Sequence, residues 1–265
     1  MLKHPFGYVD APAQQRLASL TANLKEHILS TLRLRPYHRV LDAGCGLGAD
    51  TITMARLVTA RGLVVGIDND PAMVQKARIS ARRVGVNKWV RHELADVHSI
   101  PYASCFFDAC RSERLFQHVR DGLGALKELV RVTKPGGRVL VADTDWCTLS
   151  IDTPEKDAER QLVRFIADSL PNGRAGRELL GLFRQTALED VRVSAWPLVW
   201  TQYDLFRHTS FAIRSLNTHL AERGVLSTAQ LSRLTASFRR AERGHAFFAS
   251  GTIVIVTGLK RHLPS

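Results

Sequence analysis

Between residues 38 and 96 the chain alternates short apolar runs with longer stretches of helical periodicity: HRVLDAG, ADTITMARLVTA, LVVGID, PAMVQKARISARRV and KWVRHELAD. Strand, helix, strand, helix, strand leaves few topologies open, because crossover helices connect parallel neighbours and those crossovers are right-handed. The pattern continues with FFDACRS as a strand, GLGALKELVRV as a helix, the turn KPGG and RVLVADT as a strand. Pro135 ends that helix, and the glycines after it supply the positive φ of a reversal. Residues 154–188 read as two helices parted by PNGR, followed by EDVRVSAWPLVW and FFASGTIVIVTGLK as strands. The expected class is α/β, a Rossmann-like, mostly parallel sheet with helices on both faces.

Two segments fall outside this alternation. Leu17, Leu20, Leu24, Ile28 and Leu32 recur at helical intervals and Pro36 stops them, so residues 1–35 are expected as an N-terminal helical lid segment. Its start, HPFGYVD, is expected to fold over the binding site. Residues 203–244 interrupt the last two strands with helical sequence, in which Ser227 and Gln230 stand at capping-box spacing. An insert this long is expected to form its own structure, a helical cap over a binding site. The core domain then comprises residues 36–202 and 245–265.

Composition narrows the function classes. A net charge of +12 raises the prior for a polyanionic partner, and residues 203–265 hold nine Lys or Arg against three Asp or Glu. These cations lie along amphipathic helices without aromatic interleaving, which favours a solvated basic face and leaves a nucleic-acid partner as the lesser alternative. Cys45, Cys105, Cys110 and Cys147 show no C-x-x-C spacing, and after His92-Glu93 the next histidine is His98, too far along for a helical zinc pair. Reduced thiols and no metal are expected. No apolar run reaches membrane-spanning length and the N-terminus lacks a signal-peptide core, so a cytoplasmic protein without membrane attachment is expected, monomeric or homodimeric.

The loop Gly44-Cys45-Gly46-Leu47-Gly48 follows the first strand, at the carboxyl end where open α/β sheets bind ligands. Its G-x-G-x-G spacing departs from the G-x-G-x-x-G of a dinucleotide clamp. Asp42 precedes it, a charge poorly placed beside a pyrophosphate and well placed beside an amine. Twenty residues past Gly48, Asp68 ends the next strand, where a carboxylate accepts both ribose hydroxyls. Asp96 ends the third strand, positioned for the exocyclic amine of a purine.

Taken together, VLDAGCGLGAD, VVGIDNDPAMV, ELADVHSIPY and the block from FFDACRSERLFQHV to KPGGRVLVAD resemble the class I S-adenosylmethionine-dependent methyltransferases over residues 36–145. The resemblance implies a seven-stranded sheet whose last strand is antiparallel and inserted beside the sixth, with S-adenosyl-L-methionine as cofactor and S-adenosyl-L-homocysteine as product. It implies that Gly44, Cys45 and Gly46 contact the methionine part through the backbone, with Asp42 supporting through its charge. Asp68 would hold the ribose, Asn69 and Met73 flank the adenine, Asp96 meet its N6 and Val97 offer an amide to the ring. Arg111 and Ser112 would lie near the sulfonium, and Tyr8 in the lid would complete the cofactor site.

The acceptor is less constrained. No Asn/Asp-Pro-Pro-Tyr stretch and no Pro-Cys nucleophile follows the fourth strand; SERLFQHV stands there and resembles the small-molecule, ubiquinone/menaquinone methyltransferase-like branch, shared with natural-product enzymes. Methyl transfer from a sulfonium needs alignment more than acid–base help, so a base matters only for an acceptor that must lose a proton. His118 is the candidate base, with helix packing as its competing role, and Glu113 stands behind it. Glu113, Arg114 and Trp146 are candidate substrate contacts; Trp146 and Trp200 are either walls for an aromatic acceptor or, as large aromatics more often are, core, and Arg174 and Arg177 are either anion clamps or surface charges. The expected function is O- or N-methylation of a small aromatic or heterocyclic metabolite. RNA methylation and cofactor binding without methyl transfer are the alternatives.

Overall fold

The computed structural model describes residues 20–209, 220 and 223–262. Helix α1 (Ala22–Leu32) buries the stripe Leu24, Ile28 and Leu32 and ends where Arg33 turns left-handed, at φ 51°. This stop comes before the proline at residue 36. The start of the lid segment, with Tyr8 and Leu17, lies outside the described residues.

Next come β1 (Arg39–Ala43), α2 (Ala49–Val58), β2 (Leu63–Asp68), α3 (Pro71–Arg83) and β3 (Val90–Leu94). Asp70 caps α3, accepting from the amides of Ala72 at 2.7 Å and Met73 at 3.3 Å, with Pro71 in the first turn where its missing N–H costs nothing. β4 (Phe107–Glu113) leads into a 3-10 turn, Phe116–His118, then α4 (Gly122–Val132) and the long β5 (Thr133–Ile151). KPGG is realised as a bulge inside β5, not as a turn before it. The register against β4 jumps from Phe107 opposite Thr133 to Ala109 opposite Arg138, with Gly136 at φ 73°.

Helices α5 (Lys156–Asp168) and α6 (Ala175–Arg184), strand β6 (Leu188–Trp200), helices α7 (Tyr203–Thr209) and α8 (Thr228–Arg243), and β7 (Ala249–Lys260) complete the described chain. The seven strands lie in the order β3-β2-β1-β4-β5-β7-β6. β1 to β5 pair in parallel, and β7 runs antiparallel to both β5 and β6, as expected. The order reverses between β1 and β4, so their carboxyl ends flank the switch-point crevice.

Apolar side chains fill both faces of the sheet. One face packs under α1, α2 and α5, around Met54, Val58, Leu140 and Phe165; the other packs under α4 and α6, around Leu126, Leu129, Val141 and Phe183. The insert leaves the sheet at Trp200 and returns at Ala249, residues that pair with each other, so it rises from the same carboxyl end as the crevice. Ser227 and Gln230 form the expected capping box at 3.2 and 2.9 Å. Tyr203, Phe206, Phe238 and Phe247 form an aromatic core for the insert, with ring centroids 5.4 to 5.9 Å apart. Trp200 packs edge-on against Phe206 at 5.3 Å and is 2% exposed, which makes it part of this core rather than a wall for an acceptor. Among the described residues no helix is long and apolar enough to cross a membrane.

Candidate functional site

The glycine loop takes a path closed to side chains. Gly44, Gly46 and Gly48 have φ of 77°, 51° and 77°, and a Cβ on Gly48 would lie 2.6 Å from His92 Nε2 and 2.9 Å from Ala77 Cβ. The Thr51 hydroxyl donates to Gly48 O at 2.7 Å, so His92, 2.8 Å away, donates to that hydroxyl from Nε2. Burial, aided by Arg78, lowers His92 to about 4 and keeps it neutral. Four of the five loop amides are committed within the protein, that of Gly48 to Cys45 O at 2.9 Å. Those of Gly44 and Cys45 donate to Ile67 O at 2.8 and 3.0 Å, and that of Gly46 to Asp68 Oδ2 at 2.9 Å. What the loop can offer a ligand is therefore the Leu47 amide, its carbonyl oxygens and bare Cα surface. The Cys45 thiol is buried and pushed up by desolvation, so it is inert.

Asp68 accepts one backbone donor per oxygen, Gly46 N at Oδ2 and Asp70 N at Oδ1 (3.0 Å). A carboxylate has about four lone-pair positions, so roughly two remain, one on each oxygen. Asp96 is far more open, its side chain 66% exposed. Its Oδ1 accepts from the amide and Nδ1 of His98 at 2.9 and 2.8 Å, contacts that lower its pKa and keep it ionised. Asn69 is exposed at the end of β2, while Met73 and Val97 are buried, at 3% and 7% exposure.

Between β1 and β4 lies a buried ionic cluster. Asp42 and Arg111 are register partners, and Arg111, 1% exposed, reaches Asp42 at 3.4 Å, Asp50 at 3.3 Å and Glu113 at 2.6 Å. Lys25 of α1 closes on Asp50 at 2.6 Å and Glu113 at 3.6 Å, and Arg114 stands 3.5 Å from Glu113. Three carboxylates thus face three cations. Burial pushes Asp42 up against the pull of Arg111; at Asp50 and Glu113 burial is outweighed by the cations, Arg111 and Lys25 foremost, and both are lowered. Arg111, which the resemblance places near the sulfonium, is enclosed by carboxylates whose charge it balances. Arg111 Nε, Ser112 Oγ, Glu113 Oε1 and Arg114 Nε are buried without a hydrogen-bond partner, so the cluster keeps unused polar capacity at the carboxyl end of β4.

The far side of the crevice is organised by the 3-10 turn. Asp143 of β5, buried beneath it, accepts from Thr144 N at 2.8 Å and Gln117 N at 3.3 Å, and burial raises it to about 7. The Trp146 indole donates to Gln117 Oε1 at 2.6 Å, and Gln117 Nε2 lies 3.2 Å from His118 Nε2. Desolvation, then Arg114, lowers His118 to about 4. Trp146 is 9% exposed with its N–H engaged, so little of it is left as a wall. Arg177 pairs with Asp145 at 2.6 Å and Arg174 with Glu178 at 3.8 Å, so each guanidinium already has a carboxylate partner.

The structure thus gathers Asp42, Arg111, Ser112 and Glu113 around one end of β1 and β4, and spreads Asp68 and Asp96 along the next strands. Sequence reasoning overlooked Lys25, Asp50, Gln117 and Asp143. Asp50 carried a signal, an acid in the first turn of the helix after the loop, and Asp143 another, an acid at the end of an apolar strand like Asp42. Lys25 had none, because its partners lie 25 and more residues away.

A family model described as a methyltransferase domain matches residues 35–181. The chain is 35% identical over 235 residues, 88% of its own length and 65% of the relative, to an uncharacterized 37.1 kDa protein of transposon TN4556 in Streptomyces fradiae. It is 31% identical to the cycloartenol-C-24-methyltransferase of Arabidopsis thaliana, covering 64% of this chain and 51% of that one. The chain thus spans about half to two thirds of the length of these curated relatives. Among solved structures, the YcgJ protein of Bacillus subtilis superposes with a TM-score of 0.65 at 23% identity, over 91% of this chain and 100% of that one, which shows a shared fold. The chain belongs to the methyltransferase domain family and carries a class I methyltransferase domain, whose cofactor is S-adenosyl-L-methionine.

Proposed function

We propose that the protein transfers a methyl group from S-adenosyl-L-methionine to oxygen or nitrogen of a small aromatic or heterocyclic metabolite, bound between the ends of β4 and β5 and the helical insert. The observation that carries this reading is Asp68. Its two oxygens are each tied to one backbone amide, beside a loop where Gly44 leaves only 3.1 Å between a would-be Cβ and Leu115. That arrangement fits a vicinal diol held against bare main chain. When bound, the cofactor would supply an activated methyl carbon to the acceptor's lone pair, the electrons of the broken carbon–sulfur bond staying on sulfur in S-adenosyl-L-homocysteine and a proton borne by the acceptor passing to solvent.

The chain's own residues then bind and orient. Asp68 takes the ribose hydroxyls, the second oxygen of Asp96 takes the purine amine, and Asn69, Met73 and Val97 border the base. The carbonyls of Gly44, Cys45 and Gly46, with Asp42 behind them, face the cationic methionine end, while Ser112, Glu113 and Arg114 border both ligands. The small-molecule reading draws support from the sterol named for the Arabidopsis relative and from the insert's own aromatic core at the carboxyl end.

Thermal denaturation with S-adenosyl-L-homocysteine tests the donor half. At about 100 times Kd the native state gains about 2.7 kcal/mol, roughly 5–10 °C in Tm for a domain of this size. No shift overturns the reading. Methyl transfer from labelled donor to a panel of phenols and heteroaromatic amines tests the acceptor. Transfer to RNA alone, or cofactor binding without transfer to any acceptor, overturns the small-molecule assignment.

A further inference from the structure

We infer that Trp146 and Gln117 lock His118 as its Nδ1–H tautomer, so that His118 donates a hydrogen bond to an oxygen of the methyl acceptor and takes no proton from it. The donor role rests on the function proposed above; the tautomer does not.

The inference starts from a group with no ambiguity. An indole N–H only donates, and that of Trp146 lies 2.6 Å from Gln117 Oε1 in a buried contact. The Gln117 amide must therefore point its oxygen at Trp146. Its nitrogen independently lies 3.2 Å from the carbonyl oxygen of Arg114, which only accepts. A flipped amide would set donor against donor at one contact and acceptor against acceptor at the other. Two neighbours thus fix the amide, which otherwise could be read either way round.

One Gln117 Nε2 hydrogen serves Arg114 O, and the other points along the 3.2 Å contact to His118 Nε2. That ring nitrogen must present a lone pair, and the proton of the neutral imidazole then resides on Nδ1. The surroundings keep the ring neutral. Burial disfavours a second proton, and Arg114, just before the turn, repels it further. Asp143, under the turn from β5, receives backbone amides of Gln117 and Thr144, not the ring. Among the described residues no carboxylate forms a hydrogen bond with His118.

A general base needs a free lone pair, and the one that a neutral imidazole has is engaged by Gln117. What His118 retains is an N–H at the carboxyl end of β4. Its complement is an acceptor bearing a carbonyl, carboxylate or phenolic oxygen. Gln117 is the positioning residue, and Trp146 holds Gln117.

Nitrogen-15 NMR of the full chain with labelled histidine, using His118→Asn to assign the signals, tests the tautomer directly. Protonated Nδ1 and bare Nε2, persisting below pH 6, are expected. Protonated Nε2 overturns the inference whether or not the protein binds cofactor, whereas a missing thermal shift with S-adenosyl-L-homocysteine would sink the function and leave the tautomer standing. Gln117→Glu replaces the donor facing the ring with an oxygen, so the proton should move to Nε2 and the titration midpoint rise toward neutrality. An unchanged tautomer in that variant overturns the role of Gln117. For the donor role, the side-chain amide of His118→Asn can stand in for Nδ1–H. Its kcat/KM should exceed that of His118→Leu by about tenfold, the value of one hydrogen bond. Equal losses in the two variants overturn the donation.

Discussion

The two walls of the crevice are built differently. On the wall proposed for the donor, the ends of β1, β2 and β3, the candidate contacts are main chain and strand-end carboxylates: glycines at positive φ, amides folded back onto Ile67 O and Asp68, and the side chains of Asp68 and Asp96. On the wall proposed for the acceptor, the ends of β4 and β5, side chains are held by other side chains, with Asp143 under the turn and Trp146, Gln117 and His118 in a row. A wall made of backbone suits a ligand that never changes. A wall made of side chains can be respecified by one or two substitutions, which suits a fold shared by enzymes with different acceptors. Arg111 stands between the two, paired with Asp42 of β1 and Glu113 of β4.

Arg111 is accordingly where the largest effect is expected. Arg111→Met keeps most of the volume but leaves Asp42, Asp50 and Glu113 buried with one fewer cation. Breaking a buried pair in this way costs about 3–5 kcal/mol. Urea unfolding should show that loss in the midpoint at unchanged slope. A loss below about 1 kcal/mol would mean that the carboxylates are solvated or protonated without it, and that the two walls are not joined by charge.

The same contrast explains what could be read in advance. The residues of the proposed donor wall could be nominated in advance because their constraints are local. Asp42 and the glycines fall within seven residues, Asp68 and Asp96 end strands marked by apolar runs, and the resemblance to a known family lies in those motifs. The sheet, the late antiparallel strand and the Ser227 capping box followed from equally local patterns together with that resemblance. The contacts of the proposed acceptor wall and of the cluster between the walls were not legible, because Trp146 meets Gln117 across 29 residues and Lys25 meets Asp50 across 25, and spacing carries no signal for such contacts. For Trp200 the sequence left two roles open, since a large aromatic reads the same whether it faces a ligand or, as here, Phe206 in a core. KPGG was recognised by its turn chemistry, but pairing with β4 on both sides turned it into a bulge.

Acid should weaken the donor wall through His92. Its folded pKa of about 4 lies below the ordinary histidine value of 6.5, so on acidification the unfolded chain takes up the proton first. Stability from this group is complete above about pH 6.5 and is lost as the pH falls toward 4, by up to roughly 3 kcal/mol at the low end. His118 titrates with the same sign on the other wall. His92→Gln, which retains a donor for Thr51 without a titrating proton, should flatten the unfolding midpoint against pH over that range. It should also preserve S-adenosyl-L-homocysteine affinity at pH 5 better than the parent does. If both proteins show the same pH dependence, the loop is not anchored by a neutral histidine.

Within the donor wall, the two strand-end carboxylates should differ in proportion to their surroundings. Asp68 is half-buried, braces the loop through Gly46 N at 2.9 Å and has a lone pair left on each oxygen. Hydrogen bonds to a charged group contribute about 1.5–3 kcal/mol each, so Asp68→Ala should weaken S-adenosyl-L-homocysteine binding by about 100-fold or more. Asp96 is 66% exposed, and its Oδ1 is already taken by His98. Solvent competes for the remaining oxygen, so Asp96→Ala should cost about 1 kcal/mol, a fivefold change or so in Kd. Titration calorimetry on the two variants at one salt concentration separates the cases. Equal losses would mean that the ribose and the base are gripped alike, and that burial and backbone bracing do not rank the contacts along this wall.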